Sequence, residues 1–186
     1  MNLTQINQLI ESRRSHFPKE FNGLKAPNEL IHQMIENANW APSHKLTLPW
    51  YFIVFEGQKI EQLVFQIEQI QNATNPNFPQ EKRDKLRKLP SQLSHAIAIC
   101  MKPSNLVPLW EEYCSLGAAV QNMYLTLNTV DDFGGYWTTG NATNTLQMKE
   151  FLEINEQDLH LGFFFVGGIN QKRTDSTRKT VSVKWR

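Results

Sequence analysis

Leu161-Gly162-Phe163-Phe164-Phe165-Val166-Gly167-Gly168-Ile169 is the longest strongly apolar run in the chain. Its nine residues fall far short of the ~18 that would suggest a membrane span. Aromatic and β-branched residues bounded by glycines read instead as a buried strand over 161–166, stopped by Gly167-Gly168. Two further runs have the same character: Trp-Tyr-Phe-Ile-Val-Phe at 50–55, and residues 95–101. A shorter strand fits residues 136–139.

Between these strands the apolar spacing changes to that of helices. Leu3, Ile6, Leu9 and Ile10 share one face of a helix over 3–14, which Pro18 then breaks. Leu30, Ile31, Met34, Ile35 and Ala38 do the same over 27–39, with Pro27 suited to the first turn. Residues 58–71 form a third helix, 80–89 a short and highly charged one, and 145–152 another short one. The longest helix covers 110–130 and carries Gly117-Ala118-Ala119, small enough to let another element pack close. Gly134 or Gly135 is expected to end it. The tail alternates Val181, Val183 and Trp185, which reads as an edge or exchanged strand. Helices and strands in mixed order, with no repeat and no shift of composition, point to one α+β domain over 1–186 with helices packed on a single sheet.

Composition narrows the function. Lys plus Arg is 19 and Asp plus Glu is 18, so no charge excess points to nucleic acid or to a polybasic membrane contact. Two cysteines, Cys100 and Cys114, cannot build a disulfide framework or a cysteine-rich zinc site; both are expected to be inert core thiols. No two histidines stand at ligand spacing on one helix, and no phosphate-loop, dinucleotide or nucleophile-elbow fingerprint is present. The start lacks a basic segment followed by an apolar one, so a soluble cytoplasmic protein is expected.

Four segments can carry chemistry. Arg13-Arg14-Ser15 offers two guanidiniums and a hydroxyl at a helix end, able to grip a phosphate dianion; arginines also suit helix C-termini through the dipole. Trp40-Ala41-Pro42-Ser43-His44-Lys45 is a proline-pinned loop before a buried strand, with His44 a candidate donor. Gly134-Gly135-Tyr136-Trp137-Thr138-Thr139-Gly140 lets a backbone come close to a flat ligand. The basic tail, Lys172-Arg173 and Arg178-Lys179, could add cations to a phosphate site.

In this order, with Gly-Ala-Ala-Val-Gln-Asn-Met and Leu-Gly-Phe-Phe-Phe-Val-Gly between and after them, these segments resemble the nitroreductase family, in particular its small single-domain bacterial branch. The resemblance runs from about Leu3 to Trp185. It implies the nitroreductase-like α+β fold, a central mixed or antiparallel sheet flanked by helices, with the C-terminal strand exchanged in a homodimer. It implies an FMN-dependent oxidoreductase that takes hydride from NADH or NADPH. The acceptor would be a nitroaromatic or quinone, reduced in a ping-pong cycle. Arg13, Arg14, Ser15 and Arg178 would hold the phosphate and ribityl chain. Trp40 and His44 would line the flavin from the other subunit, and Trp137, Thr138 and Thr139 would run beside the ribityl and ring. Contacts to the nicotinamide nucleotide fall on Leu127, Asn128, Thr129, Val130, Asp131 and Asp132, where two carboxylates would repel a phosphate. Trp40 and Thr138 stand where some relatives carry Arg, so the phosphate relies more on Arg13, Arg14 and Arg178. The absence of a triad or metal cluster fits a flavin that carries the chemistry itself, leaving no catalytic side chain to name. A non-enzymatic module that binds or senses flavin needs the same phosphate grip and is the alternative.

Overall fold

The computed structural model describes residues 2–174 and 177–186. Four strands, β1 (Trp50–Glu56), β2 (His95–Met101), β3 (Phe133–Thr138) and β4 (Leu159–Gly168), form one antiparallel sheet in the order β1-β2-β4-β3. Its helices are α1 (Leu3–Ser12), α2 (Asn28–Ala38), α3 (Gln58–Thr74), α4 (Gln80–Gln92), α5 (Leu109–Asn128) and α6 (Leu146–Phe151). The expected α+β layering is therefore present, and every pairing is antiparallel.

The period-2 alternation of a central strand divides the core. Ala96, Ala98 and Cys100 of β2 pack with Phe163 and Phe165 of β4 under α3, α4 and α6. The intervening Ile97, Ile99 and Met101 pack with Phe164 and Val166 under α2 and α5. Burial pushes the Cys100 thiol up to about 12, consistent with an inert core position. Cys114, by contrast, is exposed on α5, which corrects the expectation that both thiols are buried.

Two glycine pairs behave differently from the sequence reading. Helix α5 already stops at Asn128, and Gly134 and Gly135 belong to β3; Gly167 and Gly168 continue β4 rather than end it. Gly134 pairs with Gly167 across the two strands. The N-terminal arm explains why: a Cβ on Gly134 would lie 2.7 Å from the His16 side chain, and one on Gly167 would lie 2.3 Å from Phe21. The glycines make room for this arm as it crosses the sheet.

Two apolar stripes are exposed, one read as the buried face of a helix and one as an edge or exchanged strand. In α1, Leu3, Ile6 and Ile10 are open to solvent and no residue of the helix is buried. The tail over 177–186 carries no regular structure, and Val181, Val183 and Trp185 are exposed. A Cβ on Gly117 of α5 would meet nothing within 4 Å, whereas Ala119 of the same segment is fully buried in the core against α2 and the sheet.

Candidate functional site

Asn2 caps α1 through a reciprocal bond pair with Gln5. The helix ends at Ser12, where Arg13 takes an extended conformation. Arg13-Arg14-Ser15 therefore leaves the helix as a strand-like arm, which docks on β3 when the His16 N–H donates to the Gly135 carbonyl at 2.9 Å. Tyr124 of α5 organises what surrounds it. Its hydroxyl accepts the backbone N–H of Trp137 at 2.8 Å and lies 3.4 Å from the Ser15 hydroxyl, which donates to it. The Arg13 guanidinium sits 5.0 Å from the centre of the same ring. Arg14 donates to the Glu11 carbonyl at 2.5 Å and to the Arg13 carbonyl at 2.9 Å. The Trp137 indole donates to Leu161 at 2.9 Å. Two sequence motifs 120 residues apart thus meet around a tyrosine that neither contains, roughly the reach of a few side chains.

On the opposite face of the sheet from Tyr124 and Trp137, a cleft of about 690 Å³ opens between α3, α4 and the β3–β4 half of the sheet. Its size is that of an ordinary small-molecule site. Phe17 at the end of the arm, Tyr136, Thr138 and Gly140 from the glycine-aromatic motif, and Phe163 and Phe165 from β4 line it. Gln71 of α3 also lines it, is buried, and keeps a side-chain oxygen with no hydrogen-bond partner. A buried amide oxygen left without a donor costs free energy, so this atom invites a donor from a ligand. A Cβ on Gly140 would meet nothing, which leaves its backbone open to the cleft. The wall is braced where Arg87 of α4 grips Glu68 of α3 at 2.5 and 3.0 Å. That hydrogen bonding holds the Glu68 carboxyl below its usual range.

The remaining expected residues lie apart. Trp40 is 85% exposed. His44 pairs with Glu111 of α5 beside Trp110 in a shallow hollow that also contains Cys114. No hydrogen bond among the described residues joins this group to the Arg13 cluster. Thr139 is exposed on the way out of β3, and Arg178 is exposed in the tail with no ion pair among the described residues. Lys172 pairs with Asp131 at 3.3 Å and donates to the Asn128 carbonyl, while Arg173 stands 3.7 Å from Glu20 and 5.4 Å from the Phe17 ring. Along 127–132, Leu127 is buried in the core and Asn128 ties α5 to α1 through Leu9 and Ser12; a core side chain of this kind cannot face a nucleotide. Tyr124, Gln71 and Glu111 escaped the sequence reading because each sits on a helix face otherwise spaced like ordinary core or surface.

A glycine-crossed four-stranded sheet, with an arginine arm at one edge and helices on both faces, is the nitroreductase-like fold. A solved nitroreductase-like family protein from Bacillus cereus superimposes with a TM-score of 0.78 at 22% identity, covering 97% of this chain and 94% of that one. An iodotyrosine deiodinase solved with FMN and 3-iodo-L-tyrosine gives a TM-score of 0.74 at 18% identity, covering 97% and 98%. The Nitroreductase family model matches residues 10–168. The Escherichia coli (strain K12) protein named "Putative NAD(P)H nitroreductase YdjA" is 30% identical over 150 residues, 80% of each chain. The chain belongs to the nitroreductase family, a family of oxidoreductases. No helix among the described residues is long and apolar enough to cross a membrane.

Proposed function

We propose that this protein is an FMN-dependent oxidoreductase fed by NADH or NADPH, built as one domain over residues 1–186 and working as a homodimer. The observation that carries the reading is the convergence of Arg13, Ser15, Tyr124 and Trp137 at the outer edge of β3, where the arm runs on to Phe17 in the wall of the cleft. The residues present suit FMN. The cleft is walled by aromatic side chains that can cover a flat ring. The unpartnered Gln71 oxygen offers an acceptor to a ring N–H. Arg13, Arg14, Ser15 and Arg178 would hold the phosphate and ribityl chain, while Trp137, Thr138 and Thr139 would border the ring.

Bound FMN would supply the chemistry, taking hydride from the nicotinamide and passing electrons in a second half-reaction to a nitroaromatic or quinone. The chain's task is then binding, orientation and exclusion of water. Arg13 brings a cation to the arm, Tyr124 fixes the height of the arm above β3, and Gly140 leaves backbone exposed where a ligand can approach.

Dimer formation is supported by what the single chain leaves uncovered: the α1 stripe, Trp40, Trp110 and the tail. Among the described residues, β1 pairs on one side only, with β2, and β3's outer edge already receives the arm through His16. The β1 edge is thus where an exchanged tail strand from a partner could add. Trp40 and His44 would then face the partner's cleft. Purified protein is expected to be yellow, to release FMN rather than FAD on denaturation, and to sediment as a dimer. Steady oxidation of NADH or NADPH with a nitro or quinone acceptor separates the enzyme from a module that merely binds flavin. A colourless protein that takes up no added FMN would sink both.

A further inference from the structure

Helix α4 divides its cations by type. Arg83 donates to the Phe78 carbonyl at 3.2 Å and stacks near that ring, and Arg87 is taken by Glu68. Lys82, Lys85 and Lys88 stand three residues apart on one face and all line the cleft, joined by Lys19 from the turn at Pro18–Glu20. Lys85 is paired with Glu81. Among the described residues, Lys19, Lys82 and Lys88 have no ion pair and no aspartate or glutamate lines the cleft. Like charges three apart on a helix repel one another. Over apolar walls, lysine stems can lie along the surface while their heads gather at the rim, and such walls focus the field of the charges above them.

We propose that this cleft selects an electron acceptor that is an anionic aromatic: a flat apolar body against Phe78, Leu86 and Leu89 of the α4 wall, leaving the sheet side to the flavin, with a carboxylate or sulfonate held at the mouth by Lys19, Lys82 and Lys88. The inference rests on the flavin oxidoreductase reading for its redox step, and on the lysine mouth alone for binding. For a nitroarene carboxylate the nitro group gains two electrons and two protons and loses one oxygen as water, becoming nitroso. The nicotinamide supplies these as one hydride, and solvent supplies the second proton. The carboxylate is unchanged and serves only as the handle.

Calorimetric titration with 4-nitrobenzoate and its neutral analogue 4-nitrobenzamide tests this, on protein with and without added FMN. The carboxylate should bind about 10-fold more tightly at low salt, and that preference should shrink towards unity near ~1 M salt, where charges are screened within ~3 Å. It should also shrink in the exposed-site double variant Lys82→Gln/Lys88→Gln, with an unchanged melting temperature showing that the fold is intact. Equal affinity of the two ligands for the wild type, binding of neither, or a preference that survives the double variant would overturn the proposal. Failure to take up FMN with the carboxylate preference intact would overturn the flavin reading and leave the anion site standing.

Discussion

Gly134 faces His16 so closely that a Cβ on the glycine would lie within 2.8 Å of three atoms of the histidine side chain. The arm carrying Arg13-Arg14-Ser15 can therefore cross β3 only where the strand has no side chain. Gly134→Ala forces either the arm or the strand to move. Overpacking of this sort costs roughly 1–3 kcal/mol. The expected result is a lower urea midpoint with an unchanged slope, accompanied by weaker FMN binding as the arm shifts. Gly140→Ala is the control, because its Cβ meets nothing; its midpoint should match the wild type.

Tyr124 is the second position where one atom governs the site. Its hydroxyl accepts the Trp137 N–H and the Ser15 hydroxyl. Tyr124→Phe keeps the ring under Arg13 and against Phe164, where the centroids are 4.6 Å apart, but leaves the half-buried amide of Trp137 without its partner. Such a loss costs about 1–3 kcal/mol. Hydrogen exchange at the Trp137 amide should accelerate while exchange in β2 stays slow. Protection at Trp137 equal to that of the wild type would show that the hydroxyl is dispensable.

The layered fold was legible because its signal is local. Alternation in β2 and the aromatic run in β4 each report burial within a few residues; β2 spans the expected 95–101, and β4 extends the expected 161–166 by two residues at each end. Gly134, Gly135, Gly167 and Gly168 were misread because a glycine pair looks the same as a helix stop, a strand stop or a crossing point. Only neighbours distant in sequence, such as His16 over Gly134 and Phe21 over Gly167, distinguish these. The α1 stripe and the tail alternate correctly yet are exposed in the single chain, since periodicity reports that a face wants covering and not which chain covers it. The site was legible as motifs. Its organiser, Tyr124, and its unpartnered acceptor, Gln71, were not, because a role defined by contacts across the fold leaves no local spacing.

His160 gives the fold a pH dependence of known sign. It is fully buried in β4, its Nε2 has no hydrogen-bond partner, and burial pushes its pKa down to about 4. An unfolded histidine titrates near ~6.5. Between these values the unfolded chain holds a proton that the folded chain refuses. The contribution to stability is complete above the unfolded value and is lost as pH falls through about 4. At 1.36 kcal/mol per unit the loss is on the order of 3 kcal/mol. Urea midpoints measured from pH 7 down to 4.5 should fall. His160→Leu removes this group from the balance and should flatten that slope; an unchanged slope would place the acid sensitivity elsewhere, the Glu68–Arg87 pair being next.

Arg13 joins sequence to proposed mechanism most directly. The sequence suggests an exposed end of an otherwise buried helix, so that truncation would cost the fold almost nothing. The structure changes that expectation twice: α1 itself is exposed, and Arg13 is half-buried with its guanidinium 5.0 Å from the Tyr124 ring. A cation over an aromatic ring contributes about 0.5–1 kcal/mol at such a site, so Arg13→Ala should lower the apo melting temperature slightly. A charge-assisted bond to phosphate contributes about 1.5–3 kcal/mol. Its loss should raise the FMN dissociation constant roughly 10- to 100-fold. Arg13→Lys keeps a cation near Tyr124 but cannot make a bidentate contact. It should therefore recover most of the melting temperature and only part of the affinity. Fluorescence titration of the apo-protein with FMN, run beside the melts, reads the two effects separately. If Arg13→Ala lowers the melting temperature and leaves FMN affinity intact, the guanidinium serves the Tyr124 ring alone and the phosphate is held by Arg14 or Arg178.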